Sequence, residues 1–192
     1  MTISPLVIQH RPIFDDYFFF EFCQAAEGLQ IERDKNGNIY IMEPTGFDTG
    51  AFNSELVTDV SIWNRQDRKG VVGESNTGYT LPDTAVRAPD VSWISWEQLS
   101  KFTAEERKKF VNACPEFVIE IRSESDLLNP LLVKMEDYIK NGCHLAWMID
   151  RNDNKVYIYR KNGSIEIIET LQTVLSGEDV LVGFELDLRK YL

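Results

Sequence analysis

Apolar residues recur along this chain with two periods, and the switches between them mark its elements. Phe14, Tyr17, Phe18 and Phe22 fall at three- and four-residue steps around Asp15-Asp16, which predicts a capped amphipathic helix running to about Glu27 and ending near Gly28. Two β-favouring runs, Leu29 to Arg33 and Ile39 to Met42, flank Asn36-Gly37, a pair that tolerates the positive φ of a tight hairpin. After Pro44-Thr45-Gly46, the stripe Phe52, Leu56, Val60 and Trp63 predicts a second helix, flanked by Glu55 and Asp59.

The middle of the chain reads as strands. Gly70 to Glu74, Gly78 to Leu81 and Arg87 to Ser95 are separated by Asn76, Gly78, Pro82 and Asp83, so a meander is expected. Thr103-Ala104-Glu105-Glu106 has capping-box spacing and predicts a short surface helix to about Val111. In Pro115 to Arg122, Phe117, Ile119 and Ile121 alternate with Val118, Glu120 and Arg122, the period of a strand. Asn129-Pro130 as cap and first helical residue, with Asn141-Gly142 as exit, delimit an amphipathic helix whose stripe is Leu131, Leu132, Met135, Tyr138 and Ile139. Leu145 to Ile149 predicts a buried strand, and Lys155 to Arg160 with Ser164 to Glu169 a hairpin around Asn162-Gly163. The fold class is therefore mixed α/β, with strands dominating the middle and the C-terminal third.

Composition narrows the class of protein. At 192 residues, with 43% hydrophobic, 11% aromatic and 27% charged positions, the chain is expected to fold as one domain over residues 1–192. Twenty Lys and Arg against 31 Asp and Glu give a formal charge of −11, which speaks against a basic coat for nucleic acid. The start, Met1 to Leu6, has no cationic stretch followed by an apolar one, and Glu21 interrupts the run Tyr17 to Phe20. A soluble, cytoplasmic protein that does not enter a membrane is expected. Cys23, Cys114 and Cys143 are odd in number and lack metal-type spacing, as reduced thiols do.

The candidate chemistry lies in carboxylates. Glu120 stands in the centre of a strand that is apolar on its other face, and a buried lone carboxylate costs several kcal/mol. Asp90, after Pro89, is placed to meet it from a neighbouring strand. At about 5 Å and an effective dielectric of about 20 the pair would repel by about 3 kcal/mol, which a divalent cation would more than offset. Oxygen ligands favour Mg2+ or Mn2+. Spacing alone leaves open that Asp90 caps a turn and that Glu120 pairs with Arg122 or Lys134 in a structural ion pair. Arg122 shares the strand face of Glu120; it can bind phosphate or stabilise developing negative charge, but it stays protonated and is no general base. Lys134 lies at the edge of its helix stripe beside Leu131 and Tyr138.

Pro89-Asp90, then Glu120-Ile121-Arg122-Ser123 with Ser125-Asp126, then Lys134 and Tyr138 on the next helix, resembles the PD-(D/E)XK nuclease arrangement and, more closely, the bacterial Uma-type restriction-endonuclease family. The resemblance extends over Gly78 to Trp93, Pro115 to Asp126 and Lys134 to Arg160. It implies a restriction-endonuclease-like core, a central mixed sheet flanked by helices, and a metal-dependent endonuclease acting on DNA. It also implies Asp90 and Glu120 as metal ligands, the carbonyl of Ile121 as a third, and Glu55 as the acid that members carry on the helix before the sheet. The usual lysine of the third motif position is Arg122 here. In the family a lysine from the next helix substitutes, and Lys134 matches it, with the role of orienting or activating the attacking water.

The competing expectation is a non-catalytic, homo-oligomeric or partner-binding domain that keeps the fold, with Trp93, Trp96 and Tyr138 available to an interface. A homodimer is expected on symmetry grounds. Arg65 to Lys69 and Arg107-Lys108-Lys109 are the basic clusters that could meet a DNA backbone. Gly73 and Gly78 precede no lysine, so there is no P-loop, and Cys143 and His144 are neighbours whose side chains would diverge on a strand.

Overall fold

The structure, a computed structural model, describes residues 6–9, 15–42 and 44–192. Phe14 and the first five residues lie outside them. In chain order the elements begin with β1 (Leu6–Gln9), α1 (Asp16–Ala25), β2 (Gln30–Arg33), β3 (Asn38–Met42), α2 (Phe47–Asp67), β4 (Gly70–Glu74), β5 (Tyr79–Thr80), β6 (Val86–Arg87) and β7 (Val91–Ser95). They continue with α3 (Trp96–Leu99), β8 (Phe117–Arg122), α4 (Leu128–Lys140), β9 (Leu145–Asp150), β10 (Lys155–Arg160), β11 (Ile165–Ile168), β12 (Val174–Ser176) and β13 (Glu185–Asp187).

A six-stranded mixed sheet of order β11-β10-β9-β8-β7-β4 is built around the parallel pair β8 and β9, which α4 connects. Both faces of this pair are covered, which is why β9 is apolar at almost every position. On one face Phe52, Leu56 and Val60 of α2 meet Phe117, Ile119, Ile121 and Trp147. On the other, Met135 and Tyr138 of α4 meet Val118, Ala146 and Met148. A second sheet of five strands, β1-β3-β2-β6-β5, has its own core of Phe19, Ile31, Ile39 and Val86 under α1. No helix among the described residues is long and apolar enough to cross a membrane.

Several elements depart from the sequence reading. Arg87 to Ser95 is two strands: β6 pairs with β2 and β5 in the five-stranded sheet, and after Ala88-Pro89-Asp90 the chain enters the six-stranded sheet as β7. Proline lacks the amide a continuous strand would need, so the ladder breaks there. The expected meander is thus a sheet switch, with β4 pairing β7 and the β5–β6 hairpin between them. The capping box at Thr103 forms, Glu106 Oε2 accepting the Thr103 amide at 2.7 Å, but only a 3-10 turn over Glu106–Lys108 follows. α4 starts earlier than expected, with Leu127 as cap, so Pro130 is its third residue. In α1 the inward stripe is Phe19, Phe22, Cys23 and Ala26, while Tyr17 and Phe18 are exposed.

Candidate active site

The alternation of β8 directs Glu120 to the α4 side of the sheet, where it is 5% exposed. Lys134 and Tyr138 are four residues apart, so one face of α4 presents both. Lys134 Nζ stands 2.8 Å from Glu120 Oε1, and Tyr138 Oη donates to the same oxygen at 2.8 Å.

Asp90 reaches the same place from the sheet switch. The antiparallel register Val91↔Ile119, carried back by one residue, sets Asp90 opposite Glu120. Asp90 lies just before β7 rather than on it, which corrects the expectation that both acids sit on strands. Its Oδ2 accepts the Ile121 amide at 2.8 Å, and its Oδ1 has no donor among the described residues. Burial, and then the Glu120 charge, push the Asp90 carboxyl up to about 7.

A third acid joins them, and the sequence reading missed it. Glu32 on β2 is 2% exposed, with Oε1 2.9 Å from Lys134 Nζ and accepting the Ala88 amide at 3.0 Å. Its Oε2 accepts from Arg87 Nη1 at 2.9 Å. The sequence signal was the one used for Glu120, an acid inside a short β-favouring run. Glu32-Arg33-Asp34-Lys35, however, reads as a solvated charge run unless a second sheet is known to cover it.

The titration directions follow from this sharing. Burial would raise the Glu32 carboxyl, but Lys134, Arg87 and the Ala88 amide together hold it below the ordinary glutamate range. Glu120 shares its one cation with Glu32, so burial wins and its carboxyl is raised. Burial would lower the Lys134 ammonium, but Glu120 and Glu32 outweigh that and hold it above the usual lysine range.

Arg122 departs from expectation. Its Nη1 lies 2.8 Å from both Asp150 Oδ2 and Asp153 Oδ2, and its Nε donates to the Asp126 carbonyl, so the cation beside Glu120 is Lys134. The Asp150 side chain is fully buried. Arg122→Ala should therefore lower stability by about 3 kcal/mol, because it strands that carboxylate; urea unfolding checks this, and a change under about 1 kcal/mol would refute it. Glu55 is exposed on α2, where its charge acts on Tyr191, and it does not complete a three-acid metal group with Asp90 and Glu120. Of the aromatics considered for an interface, Trp93 and Tyr138 are buried and Trp96 is 46% exposed. In the basic clusters Lys69 pairs with Asp67 and Lys108 with Glu105.

The fold is similar to that of a solved structure described as "a putative nuclease belonging to DUF820" from Anabaena variabilis. The two chains are 19% identical, the match covers 84% of this chain and 88% of that one, and the TM-score is 0.70. Residues 15–189 match the family described as "Uma2: Putative restriction endonuclease", and the chain belongs to that family. No curated protein matches it.

Proposed function

We propose that this protein is a metal-dependent endonuclease that hydrolyses DNA phosphodiester bonds. The observation that supports it most is the opposition of Asp90 and Glu120: a half-buried and a buried carboxylate brought face to face, the first with one oxygen bound to the Ile121 amide and the other left to solvent. Among the described residues no group of three or more His, Cys, Asp or Glu side chains is close enough to hold a metal. Two carboxylates and a carbonyl, Asp90, Glu120 and Ile121, are an all-oxygen donor set, which would suit a hard cation such as Mg2+ or Mn2+ with waters as its remaining ligands. When bound, such a cation lowers the pKa of a water and neutralises charge on the phosphate.

Lys134 is held as an ammonium by two carboxylates, so its part is to orient the attacking water and donate to a phosphate oxygen, not to remove a proton. Tyr138 fixes the Glu120 carboxylate. Arg122, tied to Asp150 and Asp153, stiffens the end of β8. Glu55 is assigned no direct contact with the cation. We place the protein in the cytosol as a homodimer.

The purified full chain with Mg2+ or Mn2+ should nick supercoiled plasmid, and Asp90→Ala should abolish both nicking and Mn2+ binding. Failure to cleave any DNA tested, with Mn2+ binding indifferent to Asp90→Ala, would end this reading. A second reading, a partner-binding domain that keeps the fold, draws support from the contacts Glu120 Oε1 already makes with the Lys134 ammonium and the Tyr138 hydroxyl, those of a structural ion pair. A titration showing no divalent-ion binding would favour it.

A further inference from the structure

Glu32 and Arg87 belong to the five-stranded sheet, whereas Asp90 and Glu120 serve the six-stranded sheet and Lys134 the helix over it. The Lys134 ammonium is the joint, 2.9 Å from Glu32 Oε1 and 2.8 Å from Glu120 Oε1. Glu32 cannot drift, because the Ala88 amide and Arg87 Nη1 hold its two oxygens from separate directions. With Glu120 as its only counter-ion, Lys134 would compete with any cation for that carboxylate. With Glu32 present, it keeps a counter-ion when Glu120 turns away. The cluster holds three carboxylates (Glu32, Asp90, Glu120) against two cations (Lys134, Arg87), and removing the Glu32 charge cancels the excess that attracts a metal.

We propose that Glu32 is a positioning residue that holds and neutralises Lys134 so that Glu120 is free to ligate a divalent cation. This inference rests on the cation site proposed above. Titration calorimetry with Mn2+ alone, on the full chain, tests it with Glu32→Gln, Lys134→Met and the double variant. Glu32→Gln should weaken Mn2+ binding about tenfold or more, and Lys134→Met should not weaken it. The double variant, with the competing cation gone, should return to within about threefold of wild type. A double variant as weak as Glu32→Gln would mean that Glu32 acts through the fold and not through Lys134, and would overturn the inference. Glu32→Gln binding Mn2+ like wild type, while Asp90→Ala does not, would overturn the inference alone. Wild type binding no better than Asp90→Ala would overturn the cation site and the inference together.

Discussion

Asp90→Asn should make the metal-free protein more stable at pH 8 while abolishing Mn2+ binding and lowering any cleavage by about a thousandfold or more. Burial and the Glu120 charge hold its folded carboxyl at about 7, against an ordinary aspartate value of about 3.9, so the folded state is penalised for ionising it. The sign follows from that. The penalty is absent below pH 4, grows as pH rises through the interval to 7, and is full above it, so the gain from the neutral amide is largest at pH 8 and vanishes near pH 4. The full shift would correspond to about 4 kcal/mol, but Asp90 keeps a solvent-facing edge and about 2 kcal/mol is the realistic gain, or about 5 °C in Tm. Thermal unfolding at pH 4, 6 and 8 in EDTA measures it. A variant less stable than wild type at pH 8 would mean that the Ile121 contact, not the charge, governs the site.

Lys134→Met should have the opposite effect on the metal-free protein. It leaves two buried carboxylates, Glu32 and Glu120, without the cation they share, at a cost of about 3 kcal/mol at pH 8 and a Tm about 10 °C lower. The acids would take up protons as pH falls, so the loss should shrink towards pH 5. Mn2+ should restore part of the stability, yet any cleavage should remain at least about a hundredfold down, as the proposed role of Lys134 as donor to the phosphate requires. A pH-independent change under about 2 °C would show that the lysine is not the shared counter-ion.

Much of this site was legible in the chain. The two-residue alternation of Phe117 to Arg122 placed Glu120 opposite the apolar face, and the helical spacing of Lys134 and Tyr138 put both on the side that meets it. Asp90 was legible as a partner but not in its setting, because Arg87 to Ser95 carries uniform β propensity and Pro89 alone signals that the ladder changes sheets. Glu32 was hidden for a different reason. Its neighbours are charged, and it is the fold that gathers Lys134, Arg87 and the Ala88 amide around it and removes it from water. The same limitation reversed α1: Tyr17 and Phe18 form as good a stripe as Phe19, Phe22 and Cys23, and which face turns inward is decided by what covers it. Arg122 was expected beside Glu120, but Asp150 at the end of the parallel neighbour lies opposite it in register and takes the charge.

The order in which these groups occur has a consequence for synthesis. The ribosome releases Glu32 first, then Arg87 and Asp90, then Glu120, and Lys134 last of the five. A nascent polypeptide halted before the crossover helix carries every acid and no lysine to join them. Because the cluster requires the last-made helix to close over two sheets built from earlier chain, an unfinished translation product cannot yet bury these acids around a shared lysine.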